Sequence, residues 1–140
     1  MTFSRRDWCL WAAAMAAPRG VAIQNQVLLS KVFEYQGLPV RTDGELEYRD
    51  VLAGRLQTGG SLEVHVTWVP PGAKSHPPHH HPHEEMFLIR KGTVEVTLNG
   101  KVTRLGAGSV GFAASNDEHG IRNVGTTPAE YFIVAFGRDA

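Results

Sequence analysis

Leu62, Val64, Val66 and Trp68 alternate with Glu63, His65 and Thr67. That period of two commits the stretch to an extended strand with one apolar and one polar face, and predicts that the apolar face meets the core. Thr58-Gly59-Gly60 leads into the strand and Pro70-Pro71-Gly72 ends it, because proline cannot donate to a ladder. The same grammar recurs along the chain. Tyr48 to Leu56 comes before, and Met86 to Arg90, the turn Lys91-Gly92 and Thr93 to Leu98 come after, with Val94, Val96 and Leu98 on one side. Asn99-Gly100 then marks a hairpin into Lys101 to Leu105, Gly106-Ala107-Gly108 marks another turn, and a long apolar strand from Ala129 to Phe136 completes the set. Val27 to Tyr35, rich in β-branched and aromatic residues and closed by Gly37 and Pro39, reads as an edge strand suited to pairing between two subunits. Strands this short and evenly spaced predict an all-β sandwich or closed barrel.

The chain has 140 residues, room for one domain with a core of its own. Fourteen basic residues balance fourteen acidic ones without a basic stripe, so nothing attracts a phosphate backbone and nucleic acid is not an expected partner. No apolar run reaches the roughly 20 residues that a membrane-spanning helix needs.

The opening has a different character. Ser4-Arg5-Arg6-Asp7 precedes a short Ala-rich apolar stretch from Trp8 to Ala17, then small residues and Pro18. This layout resembles a bacterial twin-arginine export signal and predicts an exported protein, periplasmic or extracellular. The plainer alternative is a cytoplasmic protein with a short N-terminal helix. Cleavage after Ala16 or after Ala22 would start the mature chain at residue 17 or 23. Cys9, the one cysteine, falls in this segment, so the mature chain would hold no disulfide. The expected organisation is a signal over residues 1–22, an arm over 23–47 and a barrel over 48–136.

Five of the seven histidines lie between His76 and His83. Alternation sets His79 and His81 on one face and His80 on the other, and Pro82 marks the turn out. The next strand carries Glu85, Phe87 and Ile89 on a common face. If that face is the interior, two imidazoles and a carboxylate converge among apolar walls. A third imidazole must come from elsewhere, and the loop from Ser115 to Gly120 offers His119.

These residues resemble the two motifs of the cupin superfamily. In the first, Gly72 is followed by His79-His80-His81, then Glu85, then Gly92 six residues on, with one residue more than usual after Gly72. In the second, Gly108, Ala114-Ser115-Asn116, His119 and Asn123 stand at the family's spacings, with Ala114 and Asn116 where proline and glycine are usual. Asn tolerates positive φ nearly as glycine does, so that turn is preserved. The resemblance covers about residues 48–136. It implies a double-stranded β-helix, or jelly roll, that dimerises through an N-terminal strand. It places the ligands of one divalent metal ion on His79, His81, Glu85 and His119. Three imidazoles and a carboxylate suit iron, manganese, nickel, copper or zinc, and an ion that keeps open positions suits catalysis. The expected function is a metal-dependent enzyme, a dioxygenase or a lyase or isomerase, acting on a small organic molecule, with Glu85 or His83 moving a proton. The alternative is a non-catalytic module that binds a metal or small ligand.

Other candidates have plainer readings. His80 is expected to be exposed, His76 to take less part, and His65 to face solvent or a subunit partner. Phe87, Ile89, Val94, Val96 and Phe132 are candidates for cavity lining, with core as the default. Arg90, Arg104 and Arg122 are candidates for clamping a substrate carboxylate, with an exposed strand position as the default.

Overall fold

Nine strands follow the turn signals in the computed structural model, which describes residues 26–138. They are β1 (Val40–Asp43), β2 (Leu46–Arg55), β3 (Ser61–Val69), β4 (Glu84–Lys91), β5 (Thr93–Leu98), β6 (Lys101–Gly106), β7 (Val110–Ala113), β8 (His119–Asn123) and β9 (Ala129–Gly137). One 3-10 turn, Tyr35–Gly37, precedes them, and there is no α-helix among the described residues. The twin-arginine-like segment and both cleavage positions lie outside the described residues.

The turns explain the strand boundaries. Asn99 and Gly100 both take positive φ, 47° and 79°, the pair that a two-residue hairpin between right-twisted strands requires. Gly92 has φ 80°, and a β-carbon there would lie 2.7 Å from the Cα of Ala129. Glycine alone fits that corner, where the chain passes from one sheet to the other.

All pairings between strands are antiparallel. A six-stranded sheet, β1-β2-β3-β9-β4-β7, faces a three-stranded sheet, β6-β5-β8. This is the jelly-roll fold. The core lies between the sheets: Val69, Phe87, Ile89, Ala113, Tyr131 and Ile133 from the larger, Val94, Val96 and Ile121 from the smaller. Each of the larger apolar side chains is worth about 1.5–3 kcal/mol when fully buried, so this cluster dominates the stability.

Residues opposite one another in an antiparallel pair share a face, which makes the interior readable from the register. Thr67 pairs with Tyr131, and Val69 with Ala129, and all four are buried. Glu63 and His65, in phase with them, therefore face inward, whereas Leu62, Val64, Val66 and Trp68 line the outer face beside Phe132, Val134 and Phe136. This reverses the reading of the alternation. His65 does not face solvent, and Phe132 is not a cavity residue. The cause is an outer face that is itself apolar, so hydrophobicity does not distinguish the two sides of β3.

The segment from Val27 to Tyr35 is likewise not a strand. Its ladder contact is a single parallel bridge, Val27 with Arg55, flanked by hydrogen bonds from Leu28 N to Arg55 O and from Arg55 N to Gln26 O. The edge of the sheet is β1 instead. The arm is held farther along by a polar clasp on the outer face. The Tyr35 hydroxyl donates to the carboxylate of Glu130, which is buried and also accepts from Arg90 Nη1 at 2.5 Å. The Tyr35 ring takes the Arg90 and Arg49 guanidinium groups against its face, at 4.4 and 4.9 Å.

Candidate metal centre

Backbone pairing fixes the histidines before any side chain is considered. His79 N donates to His119 O at 2.9 Å and His119 N to His79 O at 2.8 Å, so the segment ahead of β4 is tied to the start of β8. Asn116 N donates to His81 O at 2.8 Å, and Asn116 has φ 63°, the left-handed conformation expected of it. Pro78 lies against Gly120, where an added β-carbon would stand 3.2 Å from its Cα, so the two segments approach without intervening bulk. Asn123 closes the far end of β8. Its amide donates to Val69 O and Thr127 O, and its carbonyl accepts from Gly125 N.

The side chains converge as the sequence predicts. Ligand atoms of His79, His81 and His119 lie within 4.8 Å of one another. The Glu85 carboxylate reaches His81 Nε2 at 3.2 Å and His119 Nε2 at 3.7 Å. His119 is 1% exposed and Glu85 8%. Carbonyl oxygens only accept, so the 2.9 Å contacts from His119 Nδ1 to Asp117 O and from His81 Nδ1 to His83 O put the proton on Nδ1 in both rings. Each Nε2 then turns a lone pair toward the Glu85 carboxylate. Such a meeting of acceptors is repulsive unless a cation or a proton sits between them.

Two further observations fit a metal ion. His119 Nε2 and His79 Nδ1 are buried without a hydrogen-bond partner, an expensive state for polar atoms unless a ligand takes them. Burial, reinforced by His76, His119 and His81, lowers the His79 imidazole to about 4, which keeps it neutral and able to donate its lone pair at ordinary pH. The backbone carbonyls on His81 and His119 fix ring orientation in the way that outer partners orient metal-ligating imidazoles.

The remaining histidines sort themselves by position. His80 is exposed, as expected. His76 stands edge-on to His79, with ring centroids 4.2 Å apart. His83 stacks flat on His81 at 3.5 Å, and burial lowers its imidazole below the ordinary value, with His81 adding to the effect. Phe87, Ile89, Val94 and Val96 are core residues, and the Phe87 ring lies 5.8 Å from that of His119.

The arginine clamp is not there. Arg90 turns to Glu130 on the outer face, Arg122 pairs with Glu95 at 2.9 Å, and Arg104 is the register partner of Glu95. Glu95 and Arg122 are out of phase with inward-facing Val94, Val96 and Ile121, so all three arginines face away from the cavity. What the sequence reading missed is the inward side of β2 and β3, which carries Tyr48, Asp50, Glu63 and His65, with Asp50 and Glu63 still nearly half-exposed. One signal was available. Val69, an apolar residue, continues the polar phase of β3, and the structure buries it fully.

A cupin-domain family model matches residues 65–135, just over half of the chain, and spans both histidine motifs. The chain belongs to the cupin family. This cupin resembles an RmlC-like cupin from Shewanella frigidimarina at 19% identity and TM-score 0.62, over 79% of this chain and 95% of that one. A Thermotoga maritima protein described as a predicted oxalate decarboxylase is similar at 24% identity and TM-score 0.64, over 75% of this chain and 97% of the other. The polyketide cyclase RemF of Streptomyces resistomycificus is similar at 18% identity and TM-score 0.63, over 80% and 83%. A search of curated protein sequences finds no match.

Proposed function

We propose that this cupin is a metal-dependent enzyme acting on a small organic molecule, with one divalent ion held by His79, His81, His119 and Glu85. The observation that carries the reading is the buried, unpartnered Nε2 of His119, facing a carboxylate and two further imidazoles. Iron, manganese, nickel, copper and zinc all accept this donor set. Bound there, the ion would supply Lewis-acid polarisation of a substrate oxygen or, as iron or copper, redox chemistry. The protein's own part begins with Glu85, whose carboxylate holds the ion and takes part in proton movement. His83 stands beside the ligand His81, is neutral at ordinary pH, and would take up or return a proton at the mouth of the cavity. Phe87, Ile89 and Ile133 exclude water from the floor. The enzymatic names carried by similar folds, a predicted oxalate decarboxylase, a polyketide cyclase and DMSP lyases among them, support chemistry on small molecules without naming this chain's reaction.

Two further parts of the reading concern the whole molecule. A homodimer is supported by the apolar outer face of β3, β4 and β9 and by exposed Leu29, Val32 and Phe33 on the arm. Sedimentation at micromolar concentration tests it. Export rests on the Arg5-Arg6 segment, and loss of translocation in the Arg5→Lys, Arg6→Lys variant tests that.

The decisive experiment for the centre is metal analysis of untagged protein purified without added metal. About one ion per chain, lost in His79→Ala and in His119→Ala, supports the site. Reconstitution that still gives no stoichiometric binding sinks it. Turnover that vanishes with His79 then separates an enzyme from a binding module.

A further inference from the structure

The outer face of the three-stranded sheet holds a cleft of about 230 Å³ that the metal centre does not use. Val102, Thr97 and Gly120 are register partners across β6, β5 and β8, out of phase with inward-facing Val96 and Ile121, so their row points outward. Thr97 and the backbone at Gly120 form the floor. Exposed Val102 stands on one side, and Pro78, packed against Gly120, on the other. His76 closes the cleft toward the metal centre, where its ring stands edge-on to His79. The neighbouring outward row is made of Arg104, Glu95, Arg122 and Lys74, the last joined to Arg122 by a single bridge. It carries three cations and one carboxylate. Glu95 accepts from Arg122 Nη2 at 2.9 Å, which leaves Nε and Nη1 of that guanidinium without a partner among the described residues. Among the same residues no carboxylate pairs with Lys74 or Arg104.

We propose that this cleft binds a small monocarboxylate with a short apolar body. Lys74 supplies an unpaired ammonium and Arg122 its remaining N–H donors, so a carboxylate placed between them gains charge-assisted hydrogen bonds. The charged side chains that line the cleft, Lys74, Arg122 and Glu95, leave one positive charge in excess. One carboxylate neutralises it, whereas the second charge of a dianion would meet Glu95. Val102 and Pro78 offer apolar surface beside the cations, which the hydrocarbon body of an organic acid covers and an inorganic anion does not. The volume lies below the roughly 300–1,000 Å³ of sites that take drug-sized ligands, so the ligand is small. The site is outside the barrel and does not depend on the ion.

The test titrates the isotopically labelled full chain, with and without zinc, with benzoate, with its uncharged counterpart benzamide and with phenyl phosphate, and follows the backbone amide resonances. Benzoate shifts the amides of Lys74, Thr97, Val102 and Arg122 saturably, and alike in both metal states. Benzamide binds there at least about threefold more weakly, and phenyl phosphate no more tightly than benzoate. Lys74→Ala lowers the affinity for benzoate at least about threefold, and Val102→Asp, which sets a carboxylate on the apolar wall, does the same. Both positions are exposed, so neither change threatens the fold. Absence of saturable shifts at these amides, equal affinity for benzamide, or unchanged affinity in either variant overturns the proposal. Tighter binding of phenyl phosphate overturns it in favour of a phosphate site. Shifts confined to His79, His81 and His119 and seen only with zinc overturn it by showing that the carboxylate joins the ion instead.

Discussion

Glu63 and Glu85 share one interior row of the large sheet and are separated there by the methyl group of Ala135. Ala135 is 5% exposed, so a larger side chain has nowhere to go but into the space between the carboxylates. Ala135→Leu is expected to lower stability by about 1–3 kcal/mol, the usual effect of overpacking. It should leave the metal content unchanged. Chemical denaturation and metal analysis measure the two effects separately.

Acid should weaken the metal-free protein through His79. Its folded pKa, about 4, lies below the ordinary imidazole value of 6.5. Between these values the unfolded chain takes up a proton that the folded chain refuses, so stability falls as pH drops from about 6.5 toward about 4 and this contribution levels off below. His83, shifted in the same direction, adds to the slope. Thermal unfolding of the metal-free protein across this range should show a falling midpoint, with a shallower slope in His79→Gln.

Asn123 is a clip rather than a ligand. It is completely buried, and its side chain joins β8 to the end of β3 and to the turn before β9 through three hydrogen bonds. Asn123→Leu strands two carbonyls and an N–H in the core, each costing about 1–3 kcal/mol. A loss of at least about 3 kcal/mol is expected in denaturant unfolding. The folded fraction at low temperature should still bind one ion, which separates this residue from His119.

Much of this arrangement is written locally and was legible. His79 and His81 announce themselves by their alternation, although their segment carries one isolated bridge and not the expected strand, Glu85 by its place on β4, Asn99-Gly100 by its hairpin chemistry, and Asn116 by its tolerance of positive φ, which it adopts. His119 was placed by its spacing in a family motif, since no local rule brings β8 to the segment ahead of β4. The misreadings of His65 and Phe132 share one cause. Which side of a strand is the inside depends on what the sheet packs against, and here the outward side is also apolar, so Leu62 to Trp68 pointed the wrong way and took His65 and Phe132 with them. Val27 to Tyr35 has the composition of a strand without a complete neighbour to pair with. The outward turn of Arg90, Arg104 and Arg122 depends on registers fixed by the assembled sheets.

The clasp on the outer face yields the last prediction. Glu130 is 3% exposed, and Arg90, Lys91 and Tyr35 surround its carboxylate, with Arg90 the closest cation. Removing one partner of such a pair leaves a buried charge uncompensated, so Arg90→Ala is expected to cost about 3 kcal/mol, the lower end of the range because Lys91 remains. Replacing both ends with apolar residues, as in Arg90→Leu with Glu130→Leu, removes the charge altogether and should recover most of that loss. Tyr35 keeps its Glu130 acceptor in Arg90→Ala but loses the Arg90 guanidinium in both variants and the acceptor in the double one, so the arm should open to protease between residues 26 and 38 most in the double variant, while metal content stays at the wild-type level. Recovery of stability without recovery of protection would show that the clasp fixes the arm rather than the barrel. Protection regained in the double variant would show instead that apolar packing of Leu28 over Gly54 is enough to hold the arm.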